Sequence, residues 1–185
     1  VTAYGMATLE GPLLSIKNVN AIAHFTDWII AHVHVAGLGW NGFLIFGMLY
    51  WLIPRMWGTK LWSTKAANIH FWLGTLGIIV YALPMYTAGV VQSLMWKNFN
   101  AEGFLEYPNF LETVTQIIPL YMMRAVGGLL YFIGVIIMAV NLVKTAKQGV
   151  FISEEAAEAT ALEKKKIVGG FWHNRLERKP VIFTT

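Results

Sequence analysis

The sequence contains no cysteine, and this absence excludes several kinds of chemistry within it. Disulfide bonds, cysteine-held metal clusters and thiol catalysis all need a sulfhydryl group. Charged residues are also few: they make up 13% of the 185 residues, against 56% for hydrophobic residues. Such a balance is typical of a membrane protein and unusual for a soluble domain. The net charge of +4 comes mainly from predicted loop ends and the C-terminal tail, so it does not indicate binding to nucleic acid.

Long apolar runs dominate the first 148 residues and predict an all-α fold, a polytopic transmembrane helix bundle. Three full spans are predicted, over about residues 26–53, 69–95 and 120–143. A shorter apolar stretch in residues 1–14 is broken at Glu10-Gly11-Pro12, where Gly-Pro is expected to end a helix. We interpret it as the last turns of a partial span, followed by a polar connection over residues 15–25.

The charges between the spans predict an orientation in the membrane. The loop 54–68 carries only basic charges, and lysines also follow residue 143, whereas glutamates predominate in the loop 97–119. By the positive-inside rule, the loop 54–68 and the segment after residue 143 are expected to be cytoplasmic. The loop 97–119 and the region of His24 are then expected to be periplasmic.

The character of the chain changes after residue 148. Residues 149–185 read as a charged linker and a membrane-surface segment, and the apolar residues 181–185 as the start of a further span. The first residue is Val1, and no signal-peptide pattern precedes the first span. We therefore expect the chain to be part of a longer protein.

Two histidines, His32 and His34, lie in the middle of the first full span. An imidazole is costly to bury at that depth, and ionisable groups there usually face a protein interior and mark function. Because an α-helix turns about 100° per residue, positions two apart point about 200° apart. The pair is poorly placed to hold one ion, but it can hold two different centres, one on each side of the helix.

Small residues follow the two histidines, at Ala36, Gly37, Gly39 and Gly42. They would let a flat macrocycle approach the backbone, although small residues also let membrane helices pack closely. Histidine is a common axial ligand of haem iron. We therefore favour axial haem ligation for the pair, with a hydrogen-bonded interior histidine as the alternative for either residue alone.

Four other polar residues lie near the ends of the predicted spans, and two of them have alternative interpretations. His24 lies eight residues before His32, about 12 Å away if the chain between them is helical, or it faces the surface at a helix start. Arg124 either snorkels at the membrane edge or forms a bidentate pair with a carboxylate. Asp27 suits the first turn of a helix. His70, near the start of the second span, is expected to cap a helix or bond to a loop.

The N-terminal stretch adds three candidates for proton transfer. Tyr4, Thr8 and Glu10 could line a proton path, although tyrosine and threonine are also ordinary in membrane helices. Glu10, near a membrane face, is the most unusual of the three.

Several motifs in a fixed order resemble one known family. They are Tyr4-Gly5-Met6-Ala7-Thr8-Leu9-Glu10-Gly11-Pro12, His24-Phe25-Thr26-Asp27-Trp28, Ala31-His32-Val33-His34, Asn68-Ile69-His70-Phe71-Trp72-Leu73-Gly74 and Arg124-Ala125-Val126-Gly127-Gly128. Over roughly residues 1–148 the chain resembles the catalytic subunit I of cbb3-type cytochrome c oxidase, a haem–copper oxidase. Its C-terminal end weakly resembles the approach to the membrane anchor of the mono-haem cytochrome c subunit, which is sometimes fused behind subunit I.

The resemblance implies a proton-pumping respiratory enzyme of the bacterial inner membrane, which reduces O2 to water with electrons from cytochrome c. Its partners would be mono-haem and di-haem cytochrome c subunits. His32 would be the proximal ligand of the high-spin haem b, and His34 an axial ligand of the low-spin haem b. His24 and Arg124 would lie near haem propionates. The copper ligands and the cross-linked tyrosine would lie on earlier helices, so this chain alone is expected to be inactive.

Two other functions stay open on the sequence. Nitric oxide reductase is a relative in which non-haem iron replaces copper. A transporter or structural membrane subunit, with histidines that relay protons or bond internally, would contain no haem. It leaves unexplained why His32 and His34 stand two residues apart among Gly and Ala.

Overall fold

The structure, a computed structural model, describes residues 1–153. The remainder of the predicted linker, including residues 181–185, lies outside the described residues. Within residues 1–153 the predicted all-α class is confirmed, since the extended structure there is limited to one isolated bridge between Phe99 and Leu105. The helices are α1 Thr2–Ser15, α2 Lys17–Ala23, α3 Asp27–His34, a π-helix Val35–Gly42, α4 Phe43–Met56, α5 Thr64–Trp96 and α6 Phe110–Ala146.

Three continuous helical stretches are long and apolar enough to cross a membrane, as the sequence predicts. They run over Asp27–Met56, Thr64–Trp96 and Phe110–Ala146. The second and third begin several residues earlier than the apolar pattern indicates, because polar side chains cap them. Ser63 accepts a hydrogen bond from the backbone N–H of Ala66, and Asn109 accepts one from Leu111.

The expectation that the first helix ends at Gly11-Pro12 is wrong. Helix α1 continues to Ser15, with Pro12 inside it. Proline removes one backbone hydrogen bond, and here the loss falls near the C-terminal end of the helix, where few further bonds depend on it. The Ser15 hydroxyl donates to the Pro12 carbonyl oxygen at 2.6 Å and helps to close this last turn.

The connection between α1 and α3 is partly helical, and it breaks sharply just before α3. Helix α2 ends at Ala23, and Phe25 adopts a positive φ of 65°, which is uncommon for a residue other than glycine. His24 and His32 therefore do not share one helix, and the distance of about 12 Å expected from helical spacing does not apply. The side chain of Thr26 then caps α3 by accepting from the Trp28 N–H.

Close packing of α5 against α6 forms the centre of the bundle. A Cβ on Gly77 would lie 2.7 Å from the Tyr131 nitrogen, and a Cβ on Gly127 would lie 2.5 Å from the Tyr81 nitrogen. Only glycine permits backbones to approach so closely, as is common between membrane helices. The buried side chains of Ala31, Met85, Ala88 and Ile117 then pack α3 against this pair.

Candidate functional site

The carboxylate of Glu10 is the centre of a hydrogen-bonded cluster between α1, α3 and α5. It accepts from the indole N–H of Trp28 at 2.6 Å and from the hydroxyl of Tyr86 at 2.7 Å. It also lies 3.0 Å from Nδ1 of His32. Only 12% of the Glu10 side chain is exposed, so these partners take the place of water.

The pairing with Glu10 determines which nitrogen of His32 remains available. Nδ1 donates its hydrogen to the carboxylate, and this fixes the tautomer in which Nε2 carries the free lone pair. Within residues 1–153, Nε2 of His32 has no hydrogen-bond partner. Metal-binding histidines commonly donate their second ring N–H to a carboxylate in this way. His32 therefore has the arrangement expected of a ligand.

His34 is oriented by the backbone of its own helix. Its Nδ1 donates to the Ile30 carbonyl oxygen at 2.7 Å, which again leaves Nε2 as the acceptor. The ring stacks on Tyr81 at a centroid distance of 4.6 Å, and the Tyr81 hydroxyl lies 3.1 Å from Nε2. The bond at Nδ1 thus suits an axial ligand, while binding of a metal at Nε2 requires the Tyr81 hydroxyl to move away.

The two histidines contact different helices. His32 meets α1 through Glu10, and His34 meets α5 through Tyr81. Their places two residues apart on α3 produce this divergence directly. The arrangement allows each imidazole to serve a separate centre.

The small residues that follow the histidines have different surroundings. A Cβ on Gly37 would meet nothing within 4 Å, so space is open beside it. A Cβ on Gly39 would lie 3.1 Å from Cβ of Ala3, and one on Gly42 would lie 2.6 Å from the Tyr131 hydroxyl. Gly39 and Gly42 therefore serve helix packing, and the open side at Gly37 leaves room for a bulky group.

A second polar cluster lies where α3 begins and is centred on Asp27. The side chain of Gln92 donates to Asp27 Oδ2 at 2.7 Å, and the Tyr121 hydroxyl donates to the same oxygen at 2.7 Å. The Asp27 N–H donates to Gln92 Oε1 at 2.6 Å. Asp27 does occupy the first turn of α3, as the sequence indicates, but its main contacts are with α5 and α6.

His24 and Arg124 both lie beside this cluster. His24 is exposed, packs edge-on against Phe25 at 4.0 Å, and lines a cavity that Asp27 and Gln92 also line. Arg124 places its guanidinium over the Tyr121 ring at 4.7 Å. Among residues 1–153 its polar contacts do not include a carboxylate within 4.0 Å. A carboxylate from a bound ligand would suit this half-buried cation.

The three candidates for proton transfer do not form a connected chain. Tyr4 packs on Trp40 at a centroid distance of 4.8 Å, and Thr8 is exposed. In the part of the chain that the structure describes, no hydrogen bond joins either of them to Glu10. Glu10 alone is in contact with the histidine site.

Sequence reasoning missed the partners of Glu10 and His34. Trp28 stands four residues before His32, hence on the same helical face, and that spacing could have indicated a shared partner. Tyr81 and Tyr86 gave no such signal, because aromatic residues are common in membrane helices. The expectation that His70 caps a helix or bonds to a loop is wrong. Its side chain is buried on α5, with the Tyr50 hydroxyl of α4 as its hydrogen-bond partner.

The similarity to known proteins covers the membrane-spanning part of the chain. The family model described as "Cytochrome C and Quinol oxidase polypeptide I" matches residues 1–130. Residues 1–153 contain no group of three or more histidine or acidic side chains that could hold a metal ion.

Three relatives indicate how specific the similarity is. The chain is 52% identical over 146 residues to a cytochrome c oxidase subunit 1 homolog of Agrobacterium tumefaciens, which covers 78% of this chain and 27% of that protein. It is 41% identical over 145 residues to the cbb3-type cytochrome c oxidase subunit CcoN1 of Stutzerimonas stutzeri, covering 78% and 30%. It is 26% identical over 162 residues to a nitric oxide reductase subunit of the same species, covering 85% and 33%. The chain thus spans about a third or less of the length of these relatives.

Proposed function

The chain belongs to the cytochrome c and quinol oxidase polypeptide I family, that of haem–copper oxidase subunit I, and on this premise we propose that it is part of a respiratory oxidase. The complete enzyme would reduce O2 to water with electrons from cytochrome c and pump protons across the membrane. The chain is 41% identical to a cbb3-type subunit and 26% identical to a nitric oxide reductase subunit. The higher identity supports an oxidase over a nitric oxide reductase. The pairing of Glu10 with His32 is the observation that carries the proposal for this part of the protein.

His32 and His34 are the residues that would hold two haem b groups. His32 would bind the high-spin haem through Nε2, with Nδ1 held by Glu10. His34 would bind the low-spin haem through Nε2, with Nδ1 held by the Ile30 carbonyl. When bound, these haems supply the oxygen and electron chemistry. The protein supplies the ligands, their tautomers and their separation on α3.

Glu10 would act as a positioning residue for His32. A carboxylate that accepts the Nδ1 hydrogen fixes the ring orientation and makes Nε2 more electron-rich. Trp28 and Tyr86 in turn hold the carboxylate, so that its negative charge stays at Nδ1. Burial of the cluster strengthens these bonds, because little water competes for them.

His24 and Arg124 would interact with haem propionates beside Asp27. Arg124 is a suitable partner because its present contacts, the Tyr121 ring and the Met85 sulfur, are weak ones for a full positive charge. Tyr4, Thr8 and Glu10 remain our candidates for a proton path. Copper would be bound by histidines in the rest of the subunit.

The proposed setting is the bacterial inner membrane, with mono-haem and di-haem cytochrome c subunits as partners. Residues 1–148 would form the C-terminal membrane part of subunit I, and residues 149–185 a linker. The basic ends at the loop 54–68 and after residue 143 support a cytoplasmic location for those segments, and the acidic loop 97–119 supports a periplasmic one.

Visible spectra of the full-length complex test the two ligand assignments. Reduced-minus-oxidised and carbon monoxide difference spectra would be recorded for wild type, His32→Ala and His34→Ala. Thr87→Ala serves as a control, because in the described part of the chain that hydroxyl bonds to its own helix alone, at the Leu83 carbonyl oxygen. We expect His32→Ala to lose the carbon monoxide signal and His34→Ala to lose the low-spin band. Assembled variants that keep both signals would show that neither histidine binds haem.

A further inference from the structure

His70 lies deep between α4, α5 and α6, away from the two candidate haem ligands. It is in the second turn of α5, and only 2% of it is exposed. Its Nε2 atom is, among the described residues 1–153, the one buried side-chain nitrogen or oxygen without a hydrogen-bond partner. Buried polar groups are nearly always bonded, so an unpaired ring nitrogen calls for a ligand.

Apolar groups surround much of the imidazole. The rings of Phe43 and Phe46 lie at centroid distances of 6.5 and 5.1 Å. On the α6 side, a Cβ added to Gly134 would lie 3.3 Å from Cδ2 of His70. Glycine at this position therefore makes room for the imidazole edge that carries Nε2. An apolar side chain would suit such surroundings better than histidine, unless the imidazole has a polar task.

The other ring nitrogen of His70 contacts a polar side chain. Nδ1 of His70 lies 3.2 Å from the hydroxyl of Tyr50. On α6, the side chain of Asn141 is fully buried. Asn141 donates to the Ser63 carbonyl oxygen at 2.8 Å and accepts from the Ser63 N–H at 3.1 Å. These two bonds join α6 to the N-cap of α5.

Ser63 lies at the end of the bundle at which α5 begins. Ser63 and His70 are seven residues apart, which is about 10 Å along a helix. The hydroxyl of Tyr50 can accept one hydrogen bond and donate another, and imidazole can take a proton on one nitrogen and release one from the other. The Tyr50 hydroxyl can therefore pass a proton to or from Nδ1 of His70.

We propose that His70 forms a buried water- and proton-binding site, with a water molecule on Nε2, and that protons reach it through Tyr50. The ligand class is water or its excess proton, because the imidazole is buried and its Cδ2–Nε2 edge packs closely against Gly134, which excludes a larger group. The proposal uses α4, α5 and α6 and does not depend on whether His32 or His34 binds haem.

Isotope-edited infrared spectroscopy of the full-length complex tests the proton route. Ring-labelled histidine would be incorporated, and the His70 bands would be assigned by difference from His70→Gln. The sample is then transferred to D2O, and replacement of hydrogen by deuterium on the ring is followed over time. Tyr50→Phe is the informative variant, because it leaves His70 in place. Thr75→Val is the matched control, since within residues 1–153 that hydroxyl bonds to its own helix alone, at the Phe71 carbonyl oxygen.

We expect His70 to exchange in wild type and in Thr75→Val at the same rate, and about tenfold more slowly in Tyr50→Phe, the order of effect that one hydrogen bond contributes. Exchange that is unaffected by Tyr50→Phe, or absent from wild type, would overturn the proton route. A high-resolution structure of the wild-type complex gives an independent readout. It should place a water within about 3.2 Å of Nε2. A side chain from another helix of the subunit bonded there would overturn the binding site.

Discussion

At the scale of single residues, Glu10 explains how α1 contributes to a histidine on α3. A carboxylate with 12% exposure is stable here because Trp28, Tyr86 and His32 all direct hydrogens at it. Removal of its charge would leave two donors and one imidazole with a weaker acceptor. The role of His32 thus depends on a residue 22 positions earlier in the sequence.

Glu10→Gln should therefore lower the activity of the complete oxidase without abolishing assembly. Substitution of the partner of a ligating histidine typically reduces metal affinity or activity about 10- to 100-fold. Oxygen consumption and the haem-to-protein ratio of the purified complex measure the effect. Glu106→Gln, at an exposed loop position, is the control. Equal activity in both variants would contradict a positioning role for Glu10.

Tyr81→Phe separates the two interpretations of His34. If Nε2 of His34 binds haem in the complex, the Tyr81 hydroxyl is dispensable there, and the low-spin band should keep its wild-type amplitude. If instead His34 is an interior histidine bonded to Tyr81, the variant should lose about 1 kcal/mol of stability. A reduced-minus-oxidised spectrum and a thermal unfolding midpoint on the same sample distinguish these outcomes. Loss of the band with intact assembly would speak against our assignment.

Residue spacing predicted the divergence of His32 and His34 but not the surroundings of His70. The first follows from helix geometry alone, since both residues are on α3. The second depends on tertiary packing, because Phe43, Phe46 and Tyr50 come from α4 and their side chains reach His70 on α5. Basic residues near His70 in the sequence suggested a membrane edge, and they do not report which side chains cover the ring.

At the scale of helices, length and hydropathy predicted the three spans, whereas local backbone departures escaped prediction. The positive φ at Phe25 separates α2 from α3, and the π-helix Val35–Gly42 follows the histidines. The π-helix has contacts with a distant helix, α6. The Tyr131 hydroxyl donates to the Leu38 carbonyl oxygen at 3.1 Å and packs against Gly42. No pattern within one segment contains that information.

Gly127→Ala should destabilise the α5–α6 pair. The new Cβ would lie 2.5 Å from the Tyr81 nitrogen and 2.7 Å from the Gly77 carbonyl oxygen, and backbone atoms cannot move aside cheaply. Overpacking of this kind costs about 1–3 kcal/mol. The thermal unfolding midpoint of the full-length complex should fall, while Gly47→Ala, where a Cβ meets nothing within 4 Å, should leave it unchanged. Identical midpoints for the two variants would show that the helices separate easily.

At the scale of the whole molecule, the chain exposes much of its apolar surface. Leu44, Met48 and Trp51 on α4 are 57%, 57% and 62% exposed, on the span that also contains the two histidines. The chain covers 27–30% of the length of its two oxidase relatives above, and in a subunit of their length further helices and lipid would cover these faces. It is also in keeping with our proposal that His32 and His34 would each supply one haem ligand and that other helices of the subunit would supply the rest.

The orientation of the bundle is testable through the absence of cysteine from this chain. Lys60→Cys, in the basic loop, and Glu102→Cys, in the acidic loop, introduce thiols at exposed positions on opposite ends of α5. Any cysteines elsewhere in the subunit are accounted for by the unsubstituted protein as background. If basic residues mark the cytoplasmic side, a membrane-impermeant maleimide should label Glu102→Cys in intact spheroplasts and Lys60→Cys only after permeabilisation. Labelling of both after permeabilisation confirms that both thiols react. The reverse pattern in intact spheroplasts would invert the bundle, and would place the His24 and Arg124 end on the cytoplasmic side.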